Sequence, residues 1–273
     1  MSKDLFSGHS GVYAAFRPTY PEELYQFIFQ HVPQKTGAWD CGTGNGQVAQ
    51  RLALDFDQVF ASDISEKQLA HAPVIPNVFY SVTPAEYTHF KDNTFDLITV
   101  GQALHWFDVD KFCKEVRRVS RKNAVAAFWG YGNVEVNEDL DPIISNFYSK
   151  VVGPYWDDAR KHVENEYLDL PFPFERINAP KFSIEKKWTI GQFAGYFESW
   201  SATQKYIQEN QRNPVTILKE KLLAKWGPEE TVTVRFPLCP PRKNLISLKQ
   251  LCDRVTDAAI WKRDTQQCRD RRC

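Results

Sequence analysis

The chain has 273 residues, 42% hydrophobic and 25% charged, which suits one or two globular domains with an apolar core. Lys plus Arg equals Asp plus Glu at 34 each, so the balance excludes a globally basic nucleic-acid binder, although a local basic patch stays compatible with a neutral total. The opening residues lack the apolar core of a signal peptide, and no run of about 18 apolar residues occurs, so the expectation is a cytoplasmic chain without a spanning helix. The six cysteines are then thiols, and the absence of any C-x-x-C pair gives a structural zinc site little support.

The elements alternate from the start. "RPTYPEELYQFIFQH" opens a helix with Pro21 in its first turn and a stripe of Leu24, Phe27 and Ile28. "GAWDC" is a short strand that runs into three glycines, Gly42, Gly44 and Gly46. An amphipathic helix with Val48, Ala49, Leu52 and Ala53 follows. "QVFAS" is a second strand stopped by Asp63. Ser65 then starts a helix with Gln68 placed for a capping box. "VFYSV" and "FDLITVG" are strands, "DVDKFCKEVRRVSR" is a helix with Phe112, Val116 and Val119 on one face, and "AVAAFW" is a fifth strand. This alternation, with near-continuously apolar strands, predicts a parallel α/β sheet covered on both faces.

The texture changes after Trp129. Residues 133–172 read as a helical, aromatic insertion ending at "LPFPF". "FSIEKKWTI" is strand-like, helices are expected over about 189–210 and 214–226, and "TVTVRFPL" is the last convincing strand. The prediction is one domain over 1–238 with an inserted helical cap, followed by an atypical tail over 239–273. In that tail Pro240 and Pro241 cannot donate ladder hydrogen bonds, four cysteines gather, and a short helix around 244–261 is possible.

The glycine turn lies where the first strand ends, which is where open parallel sheets bind ligands. It could serve a dinucleotide, a phosphate, another adenosine cofactor, or a tight turn alone. Its spacing is G-x-G-x-G rather than the dinucleotide G-x-G-x-x-G. The Lys and Ser or Thr of a Walker loop are missing, since Gln47 and Val48 follow. Asp40 would repel a pyrophosphate and suit a cationic ligand. Asp63 ends the second strand, where a carboxylate can accept from both ribose hydroxyls; the alternative is an acid that favours the next helix start. Ala85 and Glu86, in "TPAEY" after the third strand, sit where an adenine edge would be reached.

"DCGTGNG", Asp63 and the "AE" pair together resemble the class I S-adenosylmethionine-dependent methyltransferases, whose cofactor is a sulfonium cation with a free ribose and no phosphate. "FDLITVGQALHWFD", with "YAAFRPTYP" and "ESWSA", resembles the branch related to trans-aconitate and juvenile hormone acid methyltransferases. The resemblance spans about residues 5–238. It implies a Rossmann-like sheet with a helical cap and S-adenosylmethionine as cofactor. It also implies contact of His105 and Trp106 with the methyl-donor end, and an N-terminal lid bearing Tyr13 and Arg17.

Each of these residues has a plainer reading. Trp106 also reads as ordinary packing, and His105 as the holder of a structural hydrogen bond instead of a base. Gln102 could bond the cofactor's carboxypropyl group or be a loop amide. Arg17 could clamp a substrate carboxylate or be structural. Trp200 could line an acceptor pocket or fill the core under the cap.

Methyl transfer from a sulfonium is an in-line displacement in which the protein supplies alignment and desolvation, and a carboxylate acceptor needs no base at neutral pH. The N/D-P-P-Y/F element of many amino-methylating enzymes is missing, and "GQALHW" stands in its place. The expectation is therefore a monomeric enzyme methylating a small molecule on a carboxylate or hydroxyl oxygen, with no metal, nucleic acid or membrane partner. The alternatives are a protein or RNA methyltransferase, or a catalytically silent cofactor- or partner-binding module.

Overall fold

The computed structural model describes residues 18–239, apart from 166, 168, 169 and 171, together with 245–247. Pro21 stands at the N-terminal boundary of α1 (Glu22–Gln30), whose buried face is Leu24, Tyr25 and Ile28. The strands β1 (Gly37–Cys41), β2 (Gln58–Asp63), β3 (Val78–Val82), β4 (Phe95–Gly101) and β5 (Ser120–Tyr131) pair in parallel in the order β3-β2-β1-β4-β5. Between them run α2 (Gln47–Leu52), α3 (Glu66–Leu69) and α4 (Val109–Val119).

The apolar runs explain the layering. Every residue of β1 is buried, as is all of β4 up to Gly101, because side chains alternate between two covered faces. One face carries Ala38, Leu97 and Val125 against α1 and α2. The other carries Trp39, Ile98 and Ala126 against Phe112, Val116 and Val119 of α4. Burying Phe112 completely contributes on the order of 1.5–3 kcal/mol. Buried Asp96 ties the base of the sheet together. It accepts from the Thr36 and Gly37 N–H groups at 3.0 Å each and from Arg121 at 2.8 Å.

After β5 come α5 (Asp141–Asn146), a wide helical turn at Phe147–Val151, a short turn at Gly153–Tyr155, and α6 (Arg160–Glu164). These short helical pieces occupy the stretch read from sequence as a helical insertion. The strands β6 (Glu175–Ile177) and β7 (Phe182–Thr189) follow. The single helix expected over about 189–210 is two: α7 (Ile190–Glu198) and α8 (Ser201–Asn210). Ser199 turns its hydroxyl onto the Tyr196 carbonyl. Trp200 is extended, with its indole packed among Phe147, Tyr148 and Trp156, so tertiary aromatic packing interrupts a pattern that reads as continuous. The next helix is α9 (Val215–Leu223).

The sheet is mixed rather than wholly parallel. The strand β8 (Thr231–Cys239) inserts antiparallel beside β5 and pairs along its length with β7. Its pairing with β5 covers only Gly130 and Tyr131. The ladder resumes with β9 (Leu245–Ser247) against Val125–Ala127, in a register shifted by three residues (130 pairs with 239, 127 with 245). Prolines 240 and 241 lie between the two pairings and have no N–H to donate. Residues 245–247 are therefore strand, not the start of a helix over 244–261; the rest of that stretch lies outside the described residues. The capping box at Ser65 is half formed: Ser65 accepts from the Gln68 N–H at 3.3 Å, while the Gln68 side-chain oxygen is buried with no hydrogen-bond partner among the described residues.

Candidate active site

The turn after β1 folds back on β2, with the Gly42 and Thr43 N–H groups both donating to the Ser62 carbonyl. Gly42 and Gly46 have φ of 68° and 80°, in the left-handed region that side chains disfavour. A Cβ at Gly42 would stand 2.6 Å from the Ala103 Cβ, and one at Gly46 would meet the Tyr80 hydroxyl at 2.7 Å. Gly44 differs, because a Cβ there would meet nothing within 4 Å. It faces a cleft of about 730 Å³ at the carboxyl ends of β1, β2 and β4.

Both predicted acids line that cleft. Asp63 accepts from the Gly44 N–H and the Ser65 N–H, each at 2.9 Å, so it closes the glycine turn and leads into α3 as well as facing the cleft. Asp40 is buried. Its carboxylate accepts from the Thr43 hydroxyl and, at 2.8 Å, from the Thr99 hydroxyl. Burial pushes the Asp40 carboxyl up to about 6, against the pull of the two threonine bonds. Its charge therefore acts on the cleft from behind a hydroxyl screen.

Ala85 and Glu86 line the cleft. Glu86 also accepts from the Asp108 N–H at 2.8 Å, and Thr88 is pinned to buried Glu115 of α4, which fixes this loop. Among the lining residues that the sequence did not single out for this site are Ile64 and Gln68. Ile64 is a large apolar side chain left 38% exposed beside Asp63, and Gln68 brings the buried amide oxygen already noted. Adjacency of Ile64 to Asp63 was the available signal.

Gln102 takes φ of 57°. Its side chain grips the backbone of Tyr131, accepting from the N–H at 2.7 Å and donating to the carbonyl at 3.4 Å. Its amide is thus already tied to β5 while it lines the cleft. Trp106 lines the cleft too, in a short turn at Leu104–Trp106. Gln102, Trp106 and Tyr131 also line a second, smaller chamber of about 50 Å³, so they form the wall between the two.

His105 lines this chamber and is not among the residues lining the cleft. Its Nδ1 lies 3.2 Å from the hydroxyl of Tyr167, a buried residue the sequence gave no reason to pair with it. Trp200 lines the chamber from the α7–α8 break, opposite the turn that carries His105 in the chain. The insertion adds Trp156, Asp157 and Arg160. Tyr13 and Arg17 lie outside the described residues. No cluster of metal-ligating side chains occurs among the described residues, and none of the helices described is long and apolar enough to cross a membrane.

A glycine turn open at Gly44, a carboxylate at the end of β2, a buried acid at the end of β1 and an unpartnered amide oxygen suit a nucleoside-bearing cation better than a phosphate. A methyltransferase-domain family matches residues 39–128. A methyltransferase of Dictyostelium discoideum is 34% identical over 243 residues, covering 86% of this chain and 92% of its own. The solved structure of a type II methyltransferase from Anaeromyxobacter dehalogenans has 37% identity and a TM-score of 0.76, covering 82% of this chain and 96% of that one. An S-adenosylmethionine-dependent methyltransferase of Saccharomyces cerevisiae is 21% identical over 250 residues, 78% of this chain and 85% of its own.

The chain belongs to the class I S-adenosylmethionine-dependent methyltransferases. It is an enzyme with S-adenosylmethionine as its cofactor, acting on a methyl acceptor.

Proposed function

We propose that the enzyme methylates an oxygen of a small molecule, in the manner of the trans-aconitate and juvenile hormone acid methyltransferases, and that the oxygen belongs to a carboxylate. The observation that carries this reading is the chamber behind Trp106. At about 50 Å³, ringed by Trp106, Trp156 and Trp200, it suits a small acceptor rather than a polypeptide or a nucleic-acid strand.

The cofactor, when bound, supplies a methyl group already activated for transfer, so this chain's residues have to bind, orient and exclude water. In this reading Asp63 accepts from the ribose hydroxyls, and Ala85 and Glu86 contact the adenine edge. Gly44 leaves room for close approach, and buried Asp40 favours the cationic end. Gln102 is held by Tyr131 and serves chiefly to fix the wall, while Trp106 orients the reacting groups from that wall. His105, steadied by Tyr167, positions the acceptor, because a carboxylate is already ionised at neutral pH. Trp200 contributes apolar lining.

The test is the product bond. Purified protein is supplied with methyl-labelled donor and a panel of small acids, phenols and lipids. A product that releases methanol in mild base is a methyl ester and supports the reading. A base-stable product, an ether or a methylamine, overturns it.

A further inference from the structure

Arg160 opens α6 at the outer end of the chamber. Its guanidinium lies 5.0 Å from the Trp156 ring centre and 5.8 Å from that of Tyr148, and its Nε donates to the Tyr148 hydroxyl at 3.2 Å. Tyr148 in turn donates to Glu164. The head group is thus oriented by two aromatic faces and one hydrogen bond.

The neighbouring acids have other partners. Asp157 pairs with Lys205 at 2.6 Å, Asp158 pairs with Lys161 at 2.7 Å, and Glu164 accepts from Tyr148. Glu135 and Arg160 both line the outer groove. Elsewhere Arg51, Arg118 and Arg121 each hold a carboxylate, whereas Arg160 has none within 4.0 Å among the described residues. An arginine oriented by its surroundings but left without a carboxylate is arranged for a planar anion, which its fork binds with two parallel hydrogen bonds.

Its position gives the anion a place in the reaction. The chamber has two walls that lead elsewhere. Gln102, Trp106 and Tyr131 are shared with the cofactor cleft, and Trp156, Asp157 and Arg160 are shared with an outer groove of about 880 Å³. Resting on the functional reading above, we infer that Arg160 clamps a carboxylate of the acceptor at the outer wall, while a second oxygen of the same molecule lies at the Trp106 wall and receives the methyl group. The substrate class is therefore a small bifunctional acid, a dicarboxylate or a hydroxy acid. Arg160 is the residue that selects for its charge.

The test is calorimetric, on the full chain saturated with S-adenosylhomocysteine. The probes are small dicarboxylates and hydroxy acids, each compared with the derivative in which one carboxylate is a neutral amide. At least one acid is expected to bind tenfold or more tightly than its amide. Arg160→Gln should abolish that preference with S-adenosylhomocysteine affinity unchanged, and Arg160→Lys, which keeps the charge without the fork, should restore part of it. Tyr148→Phe removes the Nε partner and should weaken the acid by less than Arg160→Gln does, giving a second variant if the first folds poorly. Equal binding of every acid and its amide, or a preference that survives in Arg160→Gln, overturns the inference. A wild-type chain that binds no S-adenosylhomocysteine instead overturns the reading on which it rests.

Discussion

Asp63 and Gly44 are joined by a 2.9 Å hydrogen bond from the Gly44 N–H to one carboxylate oxygen, while the other oxygen takes the Ser65 N–H. The residue proposed to hold the ribose therefore also shapes the turn beneath it. Asp63→Ala should weaken S-adenosylhomocysteine binding roughly tenfold to a hundredfold, as expected for losing a charged acceptor worth on the order of 1.5–3 kcal/mol. It should also lower Tm by a few degrees, because two backbone donors lose their partner. Calorimetry alongside thermal unfolding checks both. An affinity loss without any loss of Tm would show that the turn holds without its anchor.

The glycines should divide by what surrounds them. Gly42→Ala puts a Cβ 2.6 Å from that of Ala103 at a positive φ, so both strain and overpacking act, and a loss of about 2–4 kcal/mol in stability is expected. Gly44→Ala meets only the strain of φ 58°, about 1–2 kcal/mol, but it intrudes on the cleft. Urea unfolding should rank Gly42→Ala as the less stable variant, while calorimetry should show Gly44→Ala folded and impaired in cofactor binding.

If Asp40 faces the sulfonium as proposed, cofactor recognition is expected to depend on pH. Burial raises its carboxyl from 3.8 to about 6, so the folded state holds the proton more tightly than the unfolded chain does. Its contribution to stability is complete below pH 3.8 and is lost as pH climbs through about 6. The Tm of Asp40→Asn relative to wild type should accordingly rise between pH 5 and pH 8. The ionised form attracts a sulfonium, so preference for S-adenosylmethionine over the uncharged thioether of S-adenosylhomocysteine should strengthen as pH rises through about 6. That trend should flatten in Asp40→Asn. Paired titrations at pH 5, 6 and 8 measure it.

His105 is expected to act by position. Its Nδ1 partner is the Tyr167 hydroxyl, and it stands in the chamber rather than the cleft. His105→Gln, which can form a hydrogen bond but not accept a proton, should keep most of the rate with a carboxylate acceptor. Loss of a general base costs about 10²–10⁴-fold. Single-turnover rates for wild type and variant decide, and a fall of that size would assign proton transfer to His105.

Local chemistry carried the cofactor half of this protein into its sequence. The strand-turn-helix around "DCGTGNG" is legible because glycine spacing, an acid before it and helical periodicity after it are all short-range signals. Asp63, Ala85 and Glu86 then follow from where strands end. The five parallel strands could be read for the same reason, since each is a near-continuous apolar run. The chamber beside the cleft was decided only by tertiary packing. His105 meets Tyr167 across 62 positions, and Asp157 is held by Lys205 across 48. Trp200 breaks a helix because of the aromatic residues it meets from the insertion. Arg160 gave no sequence signal, because an arginine on a short helix reads as a solvated charge until its neighbours are known. No periodicity encodes such contacts: a chamber made by an insertion, a helix break and a strand-end turn exists only once all three are packed against one sheet edge.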